Sequence, residues 1–200
     1  MRRRAHIHYT VGYVKAATKS PLQLVGSAPR FAPERLIEYF GIVNYATNER
    51  VLGGIKDALI EWGEVALMVT SAGGPSGTAM SFYDAVRSVL RAEITTIGSG
   101  DVDSSGMIIF LSGTQRFVTP HTTALLHPAG RQFSEGTRYT TQELSAMLSE
   151  DTMKDALYAG IVSDQSKGKL SAEEVLELMK TQTVLCADDF VRLGLAEAVL

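Results

Sequence analysis

Val65-Ala66-Leu67-Met68-Val69-Thr70 runs directly into Ser71-Ala72-Gly73-Gly74-Pro75-Ser76-Gly77. The first run is short and almost wholly apolar, which suits a strand buried on both faces of a sheet. The second is a glycine-rich turn. A buried strand that ends in such a turn is a building unit of layered α/β domains. Loops at the carboxyl ends of those strands are where ligands bind.

The flanking sequence repeats the alternation. Leu36–Val43 predicts a strand, and Asn48 is placed to cap the helix that follows, with Val51, Leu52, Ile55, Ala58, Leu59 and Trp62 at helical spacing and Gly63 closing it. Phe82, Ala85, Val86, Val89 and Leu90 predict a second amphipathic helix, and Ile94–Ile97 a strand broken by Gly98-Ser99-Gly100. Ser104–Leu111 predicts a buried helix ended by Gly113. Arg116–Thr119 and Thr123–His127 predict two short strands around Pro120. A long helical region spans about Tyr139 to Asp164. Ser171 with Glu174 forms a capping box that opens a helix through Met179. Leu185 begins a last unit of strand, short helix Asp188–Leu193, Gly194 and strand. Residues 1–35 differ: Arg2-Arg3-Arg4, Pro21, Gly26, Pro29 and Pro33 read as an arm or extension, with a strand near Ile7–Val14, ahead of one α/β domain over 36–200.

Composition removes several function classes. The 200 residues are 45% apolar and 20% charged, enough for a real core. Lys plus Arg is 19 against 22 Asp plus Glu, a net charge of −3, which argues against nucleic acid as a partner. His6, His8, Thr10 and Lys15 interrupt the start, so no signal peptide is expected, and no apolar run approaches the roughly 18 residues of a membrane span. The single cysteine, Cys186, excludes a disulfide framework and a cysteine-based zinc cluster. A cytoplasmic protein without metal or cofactor is expected.

Three positions could carry chemistry. Ser104 opens an apolar helix, at the positive end of its dipole, where a serine serves as an N-cap or as a nucleophile; Ser105 competes for either role. His127 ends an apolar strand and precedes Pro128, with His121 as a rival that spacing alone does not eliminate. Gly73-Gly74 can present unobstructed backbone N–H groups to an oxyanion, or can be an ordinary turn. It lacks the Gly-Lys-Ser/Thr of a phosphate loop and the third glycine of a dinucleotide fingerprint.

In order and spacing the three resemble the ClpP family of serine peptidases. Val69-Thr70-Ser71-Ala72-Gly73-Gly74 followed by Phe82-Tyr83-Asp84-Ala85-Val86 resembles the family's oxyanion stretch. Asp103-Ser104-Ser105-Gly106-Met107-Ile108-Ile109-Phe110-Leu111-Ser112-Gly113 resembles its nucleophile helix, and Pro120-His121-Thr122-Thr123-Ala124-Leu125-Leu126-His127-Pro128 its histidine strand. Leu185–Leu195 resembles its closing helix and strand.

The resemblance implies a ClpP/crotonase-like layered fold of repeated strand–helix–strand units with a protruding helical handle. It implies Ser104 as nucleophile, His127 as base, and the backbone N–H groups of Gly74 and Ser105 as oxyanion hole. Substrates would be short peptides or unfolded polypeptides, cleaved inside a ring of identical subunits, a heptamer or double heptamer, fed by an ATP-dependent unfoldase. Asp103 and Ser105 stand where the family usually has Ala, Gly or Met. The third triad position falls near Leu178, where there is no Asp; Glu177 is adjacent and Gln182 is close. Glu177 is therefore the expected third member, with a backbone carbonyl, Gln182 or water as other partners for His127. Without an acid, turnover is expected to fall by about 10⁴. A catalytically weak or inactive ring subunit is the alternative function. A crotonase-type acyl-CoA enzyme is a further one, for which no carboxylate pair is evident beside the oxyanion loop.

Overall fold

The computed structural model describes residues 31–200. The expected arm and its strand near Ile7–Val14 lie outside the described residues, apart from 31–35, where a 3-10 turn at Pro33–Arg35 leads in. The chain then forms β1 (Leu36–Phe40), α1 (Tyr45–Trp62), β2 (Ala66–Ser71), α2 (Ser76–Asp84), β3 (Thr95–Val102), α3 (Gly106–Phe110), β4 (Gln115–Val118) and β5 (Thr123–Leu125). α4 (Thr141–Gln165), α5 (Ala172–Lys180), β6 (Val184–Cys186), α6 (Ala187–Arg192) and β7 (Ala198–Val199) complete it. A π-helical segment, Ala85–Leu90, continues α2.

Strands β1-β2-β3-β4-β7 pair in that order, every pair parallel. This is the sheet that an alternation of strands and crossover helices dictates. β3 is longer than its neighbours. Thr95–Gly98 pair with β4, whereas Asp101 pairs with Thr123 of β5, and β5 in turn pairs antiparallel with β6. The predicted break at Gly98-Ser99-Gly100 is a bulge within the strand: Val69 faces Gly98 but Ser71 faces Val102, and Gly100 turns to φ 64°. The strand runs through it because Gly98 lacks the side chain that would press on Thr122, Val118 and Val102 where the partner changes.

The first helix begins earlier than its apolar spacing suggests. Asn44, not Asn48, is the N-cap, its side chain accepting from the Thr47 amide at 2.8 Å. Asn48 sits one turn inside and is buried, accepting from the Tyr39 hydroxyl at 2.7 Å and donating to the Thr78 carbonyl at 2.9 Å. It therefore ties α1 to β1 and α2. Burial pushes the Tyr39 hydroxyl up to about 12. The ring of Tyr39 meets Phe82 edge-on at 5.6 Å, and Phe110 meets Phe190 likewise at 5.5 Å, so aromatic pairs anchor the core on α2 and α3.

The long helix α4 has its capping box at Thr140 and Glu143. Along it only Tyr158, Ala159 and Val162 are buried, while Leu144, Leu148, Met153 and Leu157 are exposed. Its first turns thus leave the domain, and its last turns join it. No helix among the described residues is long and apolar enough to cross a membrane. The Ser171–Glu174 capping box forms as expected.

Arg116 on β4 fastens the end of α4 to the last strands. Only 4% exposed, it donates from Nε to Leu195 O at 2.7 Å and from the guanidinium nitrogens to Gly113 O, Gln165 Oε1 and Gln165 O at 2.9–3.0 Å. Burial lowers its pKa, and Glu197 counters. Removing the guanidinium strands three buried carbonyls at once. Arg116→Leu should destabilise the fold by about 3 kcal/mol, from the worth of hydrogen bonds to charged groups. Urea denaturation followed by circular dichroism measures it, and an unchanged midpoint would contradict the role.

Candidate active site

The turn after β2 and the turn after β3 meet face to face. Gly73 adopts φ 93°, and a Cβ on it would lie 2.8 Å from Ser104 Cβ. A Cβ on Gly74 would run into the Val43 carbonyl. Both glycines are required by close approach: one to the serine, the other to the chain leaving β1. Hydrogen bonds hold the turn, with the Val43 amide donating to Gly73 O at 2.9 Å and the Gly73 amide to Ser71 Oγ at 3.1 Å.

Ser104 sits at φ 52°, a left-handed conformation that a non-glycine residue adopts only under constraint. Three bonds supply it. The Ser104 amide donates to Leu125 O at 2.8 Å, and the Ser104 carbonyl accepts from the Tyr158 hydroxyl at 3.0 Å and the Met107 amide at 3.1 Å. The helix predicted to start at Ser104 starts at Gly106 instead. Asp103, Ser104 and Ser105 form the turn that precedes it, closed by the Gly106 amide on Asp103 O at 2.8 Å. The five residues of α3 are all buried, which fixes the base of the turn. Ser105 is buried, and its hydroxyl donates to Gly74 O at 2.9 Å, joining the two turns directly. Among the described residues, neither the Gly74 nor the Ser105 amide donates to a protein acceptor. Two such amides on adjoining turns are what an oxyanion needs.

His127 lies just beyond β5, the strand that pairs with β3 and β6. Burial alternates along it: Thr122, Ala124 and Leu126 are buried, whereas Thr123, Leu125 and His127 are half-exposed and share the other side. The ring is oriented from Nδ1, which lies 2.8 Å from Pro128 O. A carbonyl only accepts, so Nδ1 carries the proton and Nε2 is the bare, proton-accepting nitrogen. Glu177 does not join them. It is on α5, largely exposed, and pairs with Lys180 at 3.2 Å. Gln182 follows that helix in a left-handed conformation. His121, the rival histidine, is exposed in the turn before β5.

Tyr158 is a contributor that the sequence does not advertise, because its partner Ser104 is 54 residues away. Burial raises its hydroxyl far above the ordinary tyrosine range, so it remains a neutral donor to the Ser104 carbonyl. The Ala129 amide donates to Asp155 Oδ1 at 2.8 Å, which also ties the chain after His127 to α4.

The closeness of Gly73 to Ser104 makes the glycine a sensitive probe. Gly73→Ala should leave the circular dichroism spectrum unchanged but slow phosphonylation of Ser104 by a fluorophosphonate on the order of 10²-fold, the usual consequence of displacing a reacting group by about 1 Å. Wild-type labelling kinetics in this variant would show that the approach is not functionally tight.

A family model for Clp protease matches residues 32–200. A stretch of 66 residues is 35% identical to the ATP-dependent Clp protease proteolytic subunit 2 of Tropheryma whipplei (strain Twist), covering 32% of this chain and 36% of that protein. The aligned stretch therefore spans about a third of the curated relative. With a family match over nearly the whole described structure, on a fold whose two turns and histidine strand converge on Ser104, the chain belongs to the Clp protease family.

Proposed function

We propose that the protein is a serine endopeptidase of the ClpP type, cleaving short peptides or unfolded polypeptides. The observation that carries this is Ser104, held in a left-handed conformation between two uncommitted amides and tied by its own N–H to the strand that leads to His127. Ser104 Oγ would attack the substrate carbonyl carbon while His127 Nε2 takes its proton. Negative charge then develops on the carbonyl oxygen, where the Gly74 and Ser105 N–H groups would receive it. Collapse of the tetrahedral species passes the proton from His127 to the departing amine, and water reverses the sequence on the acyl-enzyme.

The Pro128 carbonyl does one part of a triad acid's work. It sets the imidazole tautomer, but as a neutral dipole it answers the imidazolium charge weakly. A hollow of about 310 Å³ adjoins the histidine, lined mainly by Pro128, Ala156, Leu176 and Met179, with Lys180 and Asp155 also on its wall. An apolar or small substrate side chain suits these walls.

By family, the peptidase would assemble as a heptameric ring or a pair of stacked rings and receive substrate from an ATP-dependent unfoldase, in the cytoplasm. The exposed apolar residues Leu144, Leu148, Met153 and Leu157 on α4 favour assembly, since such a face calls for a partner. A second reading, a ring subunit of little or no activity, is favoured by one observation: among the described residues, no carboxylate is hydrogen-bonded to His127.

Fluorophosphonate labelling with peptide mapping separates the readings. Ser104→Ala should abolish labelling, Ser105→Ala should retain it at a reduced rate, and Glu177→Gln should stay within about twofold of wild type, since its carboxylate faces Lys180. An unlabelled wild-type protein would favour the inactive subunit. Sedimentation velocity at micromolar concentration should show assemblies well above the 21.6 kDa monomer, and a monomer alone would contradict the ring.

A further inference from the structure

Asp103 immediately precedes the nucleophile and is bound to the histidine strand. Its backbone carbonyl is consumed by the turn, accepting from the Gly106 amide at 2.8 Å. The β3–β5 ladder would therefore lose an acceptor at this point. The Asp103 side chain replaces it: Oδ1 accepts from the Leu125 amide at 2.7 Å, while the neighbouring Ser104 amide donates to Leu125 O at 2.8 Å. Residue 125 is thus gripped on both sides by the two residues that end in the nucleophile. His127 lies two residues further along, on the same half-exposed side of the strand as Leu125. Oδ2 of Asp103 has no hydrogen-bond partner among the described residues.

Resting on the serine peptidase reading of this site, we infer that Asp103 is a positioning residue that supplies the charge absent at the expected third position. It fixes the nucleophile turn against the histidine strand and sets a carboxylate beside His127. Serine attack moves a proton onto His127, and the resulting imidazolium needs a nearby anion more than the neutral ring does. Pro128 O supplies orientation, and Asp103 supplies the charge. Among the described residues, the charged and titratable groups felt by Asp103 are Asp101 on β3 and His127 beyond β5, and Asp103 in turn acts on Tyr158 of α4.

The electrostatics agree with that division. Burial raises the Asp103 pKa, the Leu125 amide lowers it, Asp101 raises it and His127 lowers it. For a carboxyl whose folded-state pKa is raised, the ionised form costs stability, and the cost grows as pH rises through that pKa. An amide at this position would accept from Leu125 without that cost, so the Asn variant separates the charge from the hydrogen bond.

The test uses the full chain and four variants, with the rate of phosphonylation by a fluorophosphonate, kcat and KM on a short activated peptide, and urea denaturation as readouts. Asp103→Asn keeps an acceptor for the Leu125 amide and removes the charge. It should be at least as stable as wild type at neutral pH, keep KM within about twofold, and lose on the order of 10²-fold in phosphonylation rate and kcat, less than the loss from disabling a directly bonded acid. Asp103→Glu, which keeps the charge on a longer arm, should recover part of that loss. Asp103→Ala should lose both rate and stability, and Asp101→Asn should change neither rate nor KM. An Asp103→Asn protein that is phosphonylated and turns over as fast as wild type would overturn the inference and leave the peptidase reading intact. Equal rates for the Glu and Ala variants would overturn it as well. A wild-type protein inert to the probe would overturn both.

Discussion

The site depends on one constraint, the left-handed backbone of Ser104. A non-glycine residue does not stay in that conformation unless its surroundings make every alternative worse. Here its amide is bonded to Leu125 and its carbonyl to Tyr158 and Met107, and Gly73 leaves no space for the turn to relax towards β2. The buried α3 holds the turn from below. These contacts come from four separate segments, so Ser104 is positioned by tertiary structure and not by its own helix.

Much of this frame is legible in the sequence. The apolar run at Val65–Thr70, the glycine pair, the capping box at Ser171 and Glu174 and the closing Gly63 each express a local rule, and each forms where that rule puts it. What eluded local rules was decided by distant partners. Asn48 has the chemistry of a cap but is drawn into the core by Tyr39 and Thr78, which leaves the cap to Asn44. Gly98-Ser99-Gly100 has the composition of a break but lies where one strand changes neighbours, so the missing side chains permit continuity. Tyr158 and Asp103 show no local signature because their partners lie on other elements. The resemblance to ClpP peptidases brought Ser104, His127, Gly73 and Gly74 together; in the structure the turns of Gly73 and Ser104 meet, and the Ser104 amide bonds to the strand that precedes His127. Glu177, chosen by adjacency to the expected position, is turned to Lys180.

On the proposed reading, His127 would divide the duties of a triad acid between two groups. Orientation requires only an acceptor at Nδ1, and a peptide carbonyl suffices. Charge compensation requires an anion at short range, and it is separable because Coulomb attraction has no strict directional demand in a partly dry site. Such a division lets the residue at the usual acid position drift without removing the electrostatic support of the reaction.

The sharing of β3 between two sets of partners also orders events in time. β5 depends on β6 for its second neighbour: Thr123 faces Cys186 and Leu125 faces Val184, while the Leu126 amide donates to Thr183 O. A chain emerging from the ribosome can form β2 and the Gly73 turn early, but the Ser104 turn waits for Leu125 and Tyr158, and the strand leading to His127 remains one-sided until residue 186 has been made. Local pairs form quickly and distant ones slowly, since loop closure must precede their reward. On the proposed reading, serine and base are therefore secured only when most of the chain exists, so the nascent polypeptide is made without a working site beside it.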